Sequence, residues 1–346
     1  MSATTTPVST GTATLPLAKA INEGLRAALG RDDSVMLMGE DIGPLGGVFR
    51  ITDGLQAEFG ADRVVDTPLA ESGIVGTAIG LAMAGYRPVC EIQFEGFVYP
   101  AFDQITSQLA KIRYRSSGDL EVPVVIRMPF GGGIGAIEHH SESPEAYFAH
   151  TAGLRVVSPA TAADGYAMIQ QAIASPDPVI FLEPKARYWD KAAVDLGSEV
   201  DLSTEGLTDG LHAARVVRRP AEGAQATLVG YGPTVKTLLT AAELAAQDGQ
   251  QTEVIDLRSL SPLDVDTVAA SVERTGRLVV AHEAPGFLGP GAELAAAVTE
   301  RCFYSLEAPV LRVAGFHTPY PASVHEEHYL PGLDRILDAL DRALSY

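Results

Sequence analysis

A chain of 346 residues with 46% hydrophobic side chains carries enough core for two domains. Its formal charge of -19, from 44 acidic against 25 basic residues, argues against nucleic acid or an anionic membrane as a partner and leaves room for a basic protein. The two cysteines, Cys90 and Cys302, lie far apart in unlike contexts, so neither a metal nor an iron–sulfur site is expected.

The opening MSATTTPVSTGTATLP has neither the apolar centre of a signal peptide nor the arginines of a transit peptide, and residues 1–14 read as a flexible N-terminus. No run reaches the roughly 18 apolar residues of a membrane helix, which favours a soluble protein of the bacterial cytoplasm. Leu15 to Leu29 is amphipathic and helical, Val35 to Met38 is a strand leading into Gly39-Glu40-Asp41, and Gly43 to Gly47 is a turn. Val64 to Asp66 is a short strand before a helix headed by Glu71. From Leu69 to Gly85 Glu71 is the only charge, set in a run of small and apolar residues that fits a helix packed on most of its circumference. An ionised carboxylate there is costly unless something binds it. A first-turn Glu favoured by the helix dipole is the ordinary alternative.

Pro88 to Phe94 alternates as a strand, Ala101 to Lys111 forms a helix, and Pro123 to Met128 is a buried strand. Each candidate site residue follows such a strand, where open α/β sheets place their ligands. Phe130 to Ser141, FGGGIGAIEHHS, contains Gly131, Gly133 and Ala136 in a dinucleotide-like spacing. No acidic residue ends the next strand-like segment, Leu154 to Val157, to hold a ribose. The glycines instead suggest a loop that brings His139 and His140 to a cleft, with imidazole suited to proton exchange near neutral pH. Trp189 to Ala192 contains the Asp-Lys-Ala of lipoylated lysines but sits in a polar connector rather than at a hairpin tip. That connector, 189–209, separates a first domain at 15–188 from a second at 210–346.

In the second domain Ala226 to Tyr231, Thr252 to Leu257, Arg277 to Ala281 and Pro309 to Val313 read as strands alternating with helices at Thr234 to Gln247, Val265 to Arg274 and Gly291 to Leu306. A right-handed, mostly parallel α/β sheet follows in each domain. His325 to His328, HEEH, lacks the spacing of a zinc helix.

Several long stretches carry a resemblance: GEDIGPLGGVFRITDGLQAEFGADRVVDTPLAESGIVGTAIGLAMAGYRPVCEIQFEGF, YPAFDQITSQLAKIRYRSSG, HHSESPEAYFAHTAGLRVVSPAT, DPVIFLEPKARYW and HEAPGFLGPGAELAAAV. From about Leu15 to the C-terminus the chain resembles the β subunit of the E1 component of 2-oxo acid dehydrogenase complexes. HHSESPEAYFAH is most similar to the branched-chain 2-oxo acid form, which would place the chain in branched-chain amino acid catabolism. Pyruvate and acetoin E1 β subunits share nearly all of these motifs, and a non-catalytic scaffold of the same fold is the alternative from another class.

The resemblance implies a transketolase-like pyrimidine-binding domain followed by a transketolase C-terminal domain. It implies that Glu71 hydrogen-bonds the pyrimidine of thiamine diphosphate, that Glu40 and Leu69 lie near that ring, that Gln93 makes a polar contact beside it and that Phe97 packs against it. His140 matches the histidine that acts when the acyl group passes to the lipoyl group of E2. Gly96 and Phe97 stand where the family often has Asp and Tyr, and Glu142 where Gln is common. The chain has no Gly-Asp-Gly, and Asn22 is its only asparagine, so the Mg²⁺ and diphosphate anchor is missing. The resemblance assigns that anchor to an α subunit, giving an α2β2 heterotetramer with shared active sites. It also implies E2 docking through the C-terminal domain and admits a structural monovalent cation such as K⁺, held by backbone carbonyls around Val124 and Asp177.

Overall fold

The computed structural model describes residues 11–202 and 210–346. Residues 1–10 of the expected flexible terminus and 203–209 of the expected connector lie outside the described residues. Strand Thr12–Pro16 pairs antiparallel with Lys191–Asp195, so the end of the expected terminus and the start of the expected connector form a two-stranded ribbon. Leu15 and Pro16 belong to that ribbon, and the first helix runs over Leu17–Arg31.

The larger sheet has seven strands, in the spatial order Ser259–Ser261, Arg155–Val157, Val179–Pro184, Val125–Phe130, Arg87–Glu91, Val35–Gly39 and Val64–Asp66. All neighbours are parallel except the first pair. Central strands Val125–Phe130 and Val179–Pro184 are buried at every position, as a parallel sheet covered on both faces requires. The edge strand Ser259–Ser261 comes from the second half of the chain and pairs with Val156 and Val157, so the two halves interlock. The smaller sheet has the order Leu311–Gly315, Leu278–Pro285, Ala226–Gly230, Thr252–Asp256 and Arg215–Arg218, parallel but for the last strand.

Helix Leu17–Arg31 buries Leu17, Ile21, Leu25, Ala28 and Leu29, the stripe its periodicity predicts, and packs against helix Ala162–Ala174. Close approach is possible because Gly24 and Gly165 face the partner helix. A Cβ on Gly24 would stand 2.4 Å from Ile169 Cγ2, and one on Gly165 2.5 Å from Leu17 Cδ1. The expected helix Ala101–Lys111 is broken differently. A 3₁₀ turn at Glu95–Ala101 contains Pro100, a wide π turn covers Gln104–Leu109, and regular helix occupies only Ala110–Arg115. Among the described residues no helix is long and apolar enough to cross a membrane.

Glu145 is buried with one oxygen accepting from Tyr231 Oη and the other without a hydrogen-bond partner among the described residues. Burial pushes its carboxyl up to about 7 from an ordinary 4.5. Because the folded value lies above the unfolded one, its contribution to stability is complete below about 4.5 and is lost as pH rises through about 7. Glu145→Gln is therefore expected to flatten the decline and to gain about 2–3 kcal/mol over the parent at pH 8, read from urea unfolding at pH 5 and 8. An unchanged pH profile would count against a buried, ionising Glu145.

Candidate active site

Four strands of the larger sheet end side by side and deliver the candidate residues. After Val35–Gly39 the chain continues into Glu40 and Asp41, and after Val64–Asp66 it passes Leu69 before helix Glu71–Met83. Arg87–Glu91 is followed by Gln93, Phe94 and the 3₁₀ turn holding Phe97. Val125–Phe130 leads into the glycine loop and the short turn Glu138–His140. The site thus lies beyond the carboxyl ends of adjacent parallel strands.

Two carboxylates meet there. Glu40 and Glu71 are both buried. Burial first, then the neighbouring Glu71 and Asp41 charges, push the Glu40 carboxyl above its usual range, against the pull of the Ala70 backbone N–H. Glu40 Oε1 is buried with no hydrogen-bond partner among the described residues. Gln93 Nε2 donates to the Glu40 carbonyl at 3.5 Å and to Asp41 Oδ2 at 3.4 Å, which ties the third strand end to the first. Leu69, beside them, is 81% exposed. Helix Glu71–Met83 buries Glu71, Ile74, Val75, Ala78 and Ala82 but leaves Gly73, Gly76, Thr77, Gly80 and Met83 open. The expectation of packing around most of its circumference is corrected: one face, mostly of small residues, is exposed among the described residues, with the Gln104 side chain beside Gly76.

The second group is aromatic. The His140 ring stacks on Phe94 with centroids 3.9 Å apart and meets the edge of Phe97 at 5.2 Å. His139 packs at 4.5 Å from His140 and 6.1 Å from Phe97. His140 Nδ1 is buried without a partner among the described residues. Gly96 lies directly under this turn, since a Cβ there would fall 2.2 Å from the His139 carbonyl oxygen. In sequence Phe94 reads as the end of a strand; its stacking role depends on a loop more than forty residues away and has no local signature.

Residues 13–190 match the family described as the transketolase pyrimidine-binding domain, and residues 215–336 the transketolase C-terminal domain. Over 332 residues the chain is 62% identical to the pyruvate dehydrogenase E1 component subunit beta of Leifsonia xyli, covering 96% of this chain and 95% of that one. The chain belongs to the E1 β subunits of 2-oxo acid dehydrogenases. It is also 53% identical, over 97% of its length and 94% of the relative's, to the 3-methyl-2-oxobutanoate dehydrogenase subunit beta of Mycobacterium tuberculosis. The 2-oxoisovalerate dehydrogenase subunit beta of Pseudomonas aeruginosa is 44% identical, with 95% of each chain covered. A solved split-gene transketolase, an inactive β4 tetramer, shares the fold with a TM-score of 0.74 at 22% identity, over 96% of this chain and 98% of that one.

In this E1 β chain the glycine loop is not a dinucleotide cradle. Gly132 N–H donates to Glu283 Oε2 at 2.8 Å, and the N–H groups of Gly133 and Gly135 donate to the two oxygens of Glu326 at 2.9 and 3.0 Å. The N–H groups that a phosphate would need are taken by carboxylates of the second half of the chain. Nothing local in the sequence marks Glu283, and Glu326 stands out there only as part of HEEH. Lys191 of the Asp-Lys-Ala tripeptide opens a ribbon strand, and the Asp190 carboxylate accepts from Lys236 at 2.9 Å. Beneath the site, Lys185 and Glu95 form a fully buried ion pair at 3.3 Å, and Lys185 also donates to the Gly131 carbonyl. Burial pushes the Glu95 carboxyl up to about 7 despite the Lys185 charge beside it.

Proposed function

We propose that this chain supplies the pyrimidine-side half of a thiamine diphosphate site in an E1 enzyme, working with an α subunit that holds Mg²⁺ and the diphosphate. The carrying observation is the carboxylate pair Glu40 and Glu71 at adjacent strand ends, with Glu40 Oε1 buried and without a hydrogen-bond partner among the described residues. Burial and the neighbouring charges push the Glu40 carboxyl above its usual range, which fits an edge that meets a ring bearing both a weakly basic nitrogen and an amino group. Phe97 and Phe94, packed edge to face, offer apolar surface at the same strand end, and Gln93 a polar edge. Bound thiamine diphosphate would supply a nucleophilic carbon and an electron sink for decarboxylation.

The chain's own residues then have distinct tasks. Glu71 exchanges a proton with the pyrimidine ring nitrogen, and Glu40 shapes the same edge. Leu69, exposed in this chain, would offer apolar surface to the ring. His140, its ring held by Phe94, moves a proton to the sulfur of the lipoyl acceptor on E2. The open face of helix Glu71–Met83 and the exposed Leu69 are apolar surface of the kind a neighbouring chain covers, which supports the α2β2 assembly. Asn22 cannot stand in for the missing metal anchor, since its Oδ1, the atom a metal would need, already accepts from Lys19 Nζ at 2.6 Å and Arg26 Nη2 at 3.1 Å, while its Nδ2 donates to the Ile51 and Asp53 carbonyls. Docking of E2 on the C-terminal domain and a bacterial cytoplasmic location belong to the same reading. A structural K⁺ would need the second lone pairs of the Val124 and Asp177 carbonyls, which accept from Val179 N–H and Ser175 Oγ.

For the substrate, the relative at 62% identity supports pyruvate, and the order of preference set by the sequence motifs is reversed. The segment from His139 to His150 and the relative at 53% support a branched-chain 2-oxo acid as the second reading. Co-purification with its α subunit, followed by decarboxylation assays on pyruvate and 3-methyl-2-oxobutanoate in direct competition, decides between them. A higher kcat/KM for the branched acid overturns the first reading. Activity of this chain alone overturns the shared site, and inactivity with every α subunit that binds it would leave only the scaffold alternative.

A further inference from the structure

The glycine loop between Phe130 and His140 forms few hydrogen bonds of its own, yet it places two histidines against the 3₁₀ turn of Phe97. Gly131, Gly133 and Gly135 have φ of 81°, 87° and 69°, a left-handed conformation that turns successive N–H groups toward one side. Such a nest binds an anion. Here the anion is a side chain from the far end of the sequence. Glu326, at the head of the short helix Glu326–Tyr329, spans the N–H groups of Gly133 and Gly135 with its two oxygens. Tyr320 Oη donates to the same Oε1 at 2.7 Å and fixes the carboxylate's orientation.

The seat is specific in shape as well as charge. A Cβ on Gly132 would lie 1.9 Å from Tyr320 Oη and 3.1 Å from Leu330 Cδ2, so the loop and the 320–330 segment are in direct contact. That segment is itself anchored: Tyr320 packs on Tyr329 at 4.9 Å, and Arg335 donates to the Tyr329 and Leu330 carbonyls. On the other side of the loop, Glu283 takes the Gly132 N–H and Lys185 the Gly131 carbonyl, which fixes its root but not its outer half. The outer half, from Gly133 to the turn at Glu138–His140, has Glu326 as its tie to the second half of the chain.

We propose that Glu326 is a positioning residue, its carboxylate filling the glycine nest and thereby holding His140 in register with Phe94 and Phe97. The inference rests on the reading of His140 as a proton donor in acyl transfer to the lipoyl group. It makes the second half of the chain part of the active site, and it gives the HEEH segment a task in place of metal binding.

The test uses the full chain and its complex with the α subunit. Glu326→Ala is expected to speed amide hydrogen exchange in the peptide covering 131–140, with the strands of both sheets unaffected. In the complex, reductive acylation of a lipoylated E2 domain should fall by about tenfold to a hundredfold, as expected for misplaced catalytic groups, while 2-oxo acid decarboxylation coupled to ferricyanide changes by less than about twofold. Glu326→Asp should recover part of the acylation rate, because one N–H stays within reach of the shorter carboxylate. Tyr320→Phe removes one hydrogen bond and no charge. It should give the same pattern at smaller amplitude, so that a misfolded Glu326→Ala chain does not decide the question. Unchanged exchange in 131–140, or an equal fall of both activities, overturns the proposal. If His140→Ala leaves acylation intact, it is the reading of His140 that fails, and the exchange result still decides whether Glu326 holds the loop.

Discussion

Replacing Glu71 by Gln is expected to slow 2-oxo acid decarboxylation by the α-containing complex by about 10²- to 10⁴-fold, the range for losing a positioned acid–base group. The amide keeps the size and polarity of the side chain but cannot take or give the proton at the pyrimidine nitrogen. Folding should be almost untouched. Glu71 makes no side-chain hydrogen bond or ion pair among the described residues, and its place in the first turn of helix Glu71–Met83 is worth less than about 1 kcal/mol through the helix dipole. A large loss of rate with an unchanged unfolding midpoint is therefore the signature of a catalytic group. Full activity in the variant would leave Glu71 as the ordinary first-turn acid that its position alone suggests. Glu40→Gln offers a contrast: relief of the repulsion between the pair should leave a milder defect in rate.

The largest stability effect is expected at Arg127. Its guanidinium is 2% exposed and lies between Glu91 Oε2 at 2.8 Å and Glu183 Oε1 at 2.7 Å, while Glu183 also accepts from Tyr188 Oη at 2.7 Å. Arg127→Met leaves the buried Glu183 and the half-buried Glu91 carboxylates without their cation and should cost about 3–5 kcal/mol in urea unfolding. The deficit should also depend on pH. Burial already pushes the Glu91 carboxyl up from 4.5, and the Arg127 charge is what holds it down. Without that charge the folded value rises further, so the variant keeps its stability below the unfolded value of 4.5 and loses it as pH climbs through the folded one. Unfolding at pH 5 and pH 8 should show a markedly larger gap from the parent at the higher pH. An equal gap at both would mean that lost packing, not stranded charge, is responsible. Adding Glu183→Gln to Arg127→Met should recover part of the loss, since the two positions share one network.

Much of the architecture was legible along the chain because it depends on local pattern. Helix Thr234–Gln247 and strand Val64–Asp66 have the limits that periodicity and turn residues predict. The parallel strands of the second half follow from their alternation with helices. The antiparallel edges did not show themselves. Ser259–Ser261 and Arg215–Arg218 are short, carry no continuous apolar run, and exist as strands only because a sheet edge is there to pair with them. The ribbon of Thr12–Pro16 with Lys191–Asp195 has the same origin: two polar segments 175 or more residues apart, neither persuasive without the other.

The sequence by itself determined the family, the residues fit for proton chemistry and the lack of a Gly-Asp-Gly motif, because these reside in residue identity and in long ordered motifs. Only the tertiary structure decided which of those residues share a site. Glu40 and Glu71 become a carboxylate pair through the parallel register of Val35–Gly39 with Val64–Asp66. The glycine loop gives up its resemblance to a nucleotide cradle because Glu283 and Glu326 fold back onto its N–H groups from more than 150 residues away. Helix Glu71–Met83 shows an open face, mostly of small residues, because little among the described residues is placed to cover it. A hydrogen bond or an unfilled face is a relation between distant segments, and pattern within one segment carries no record of it.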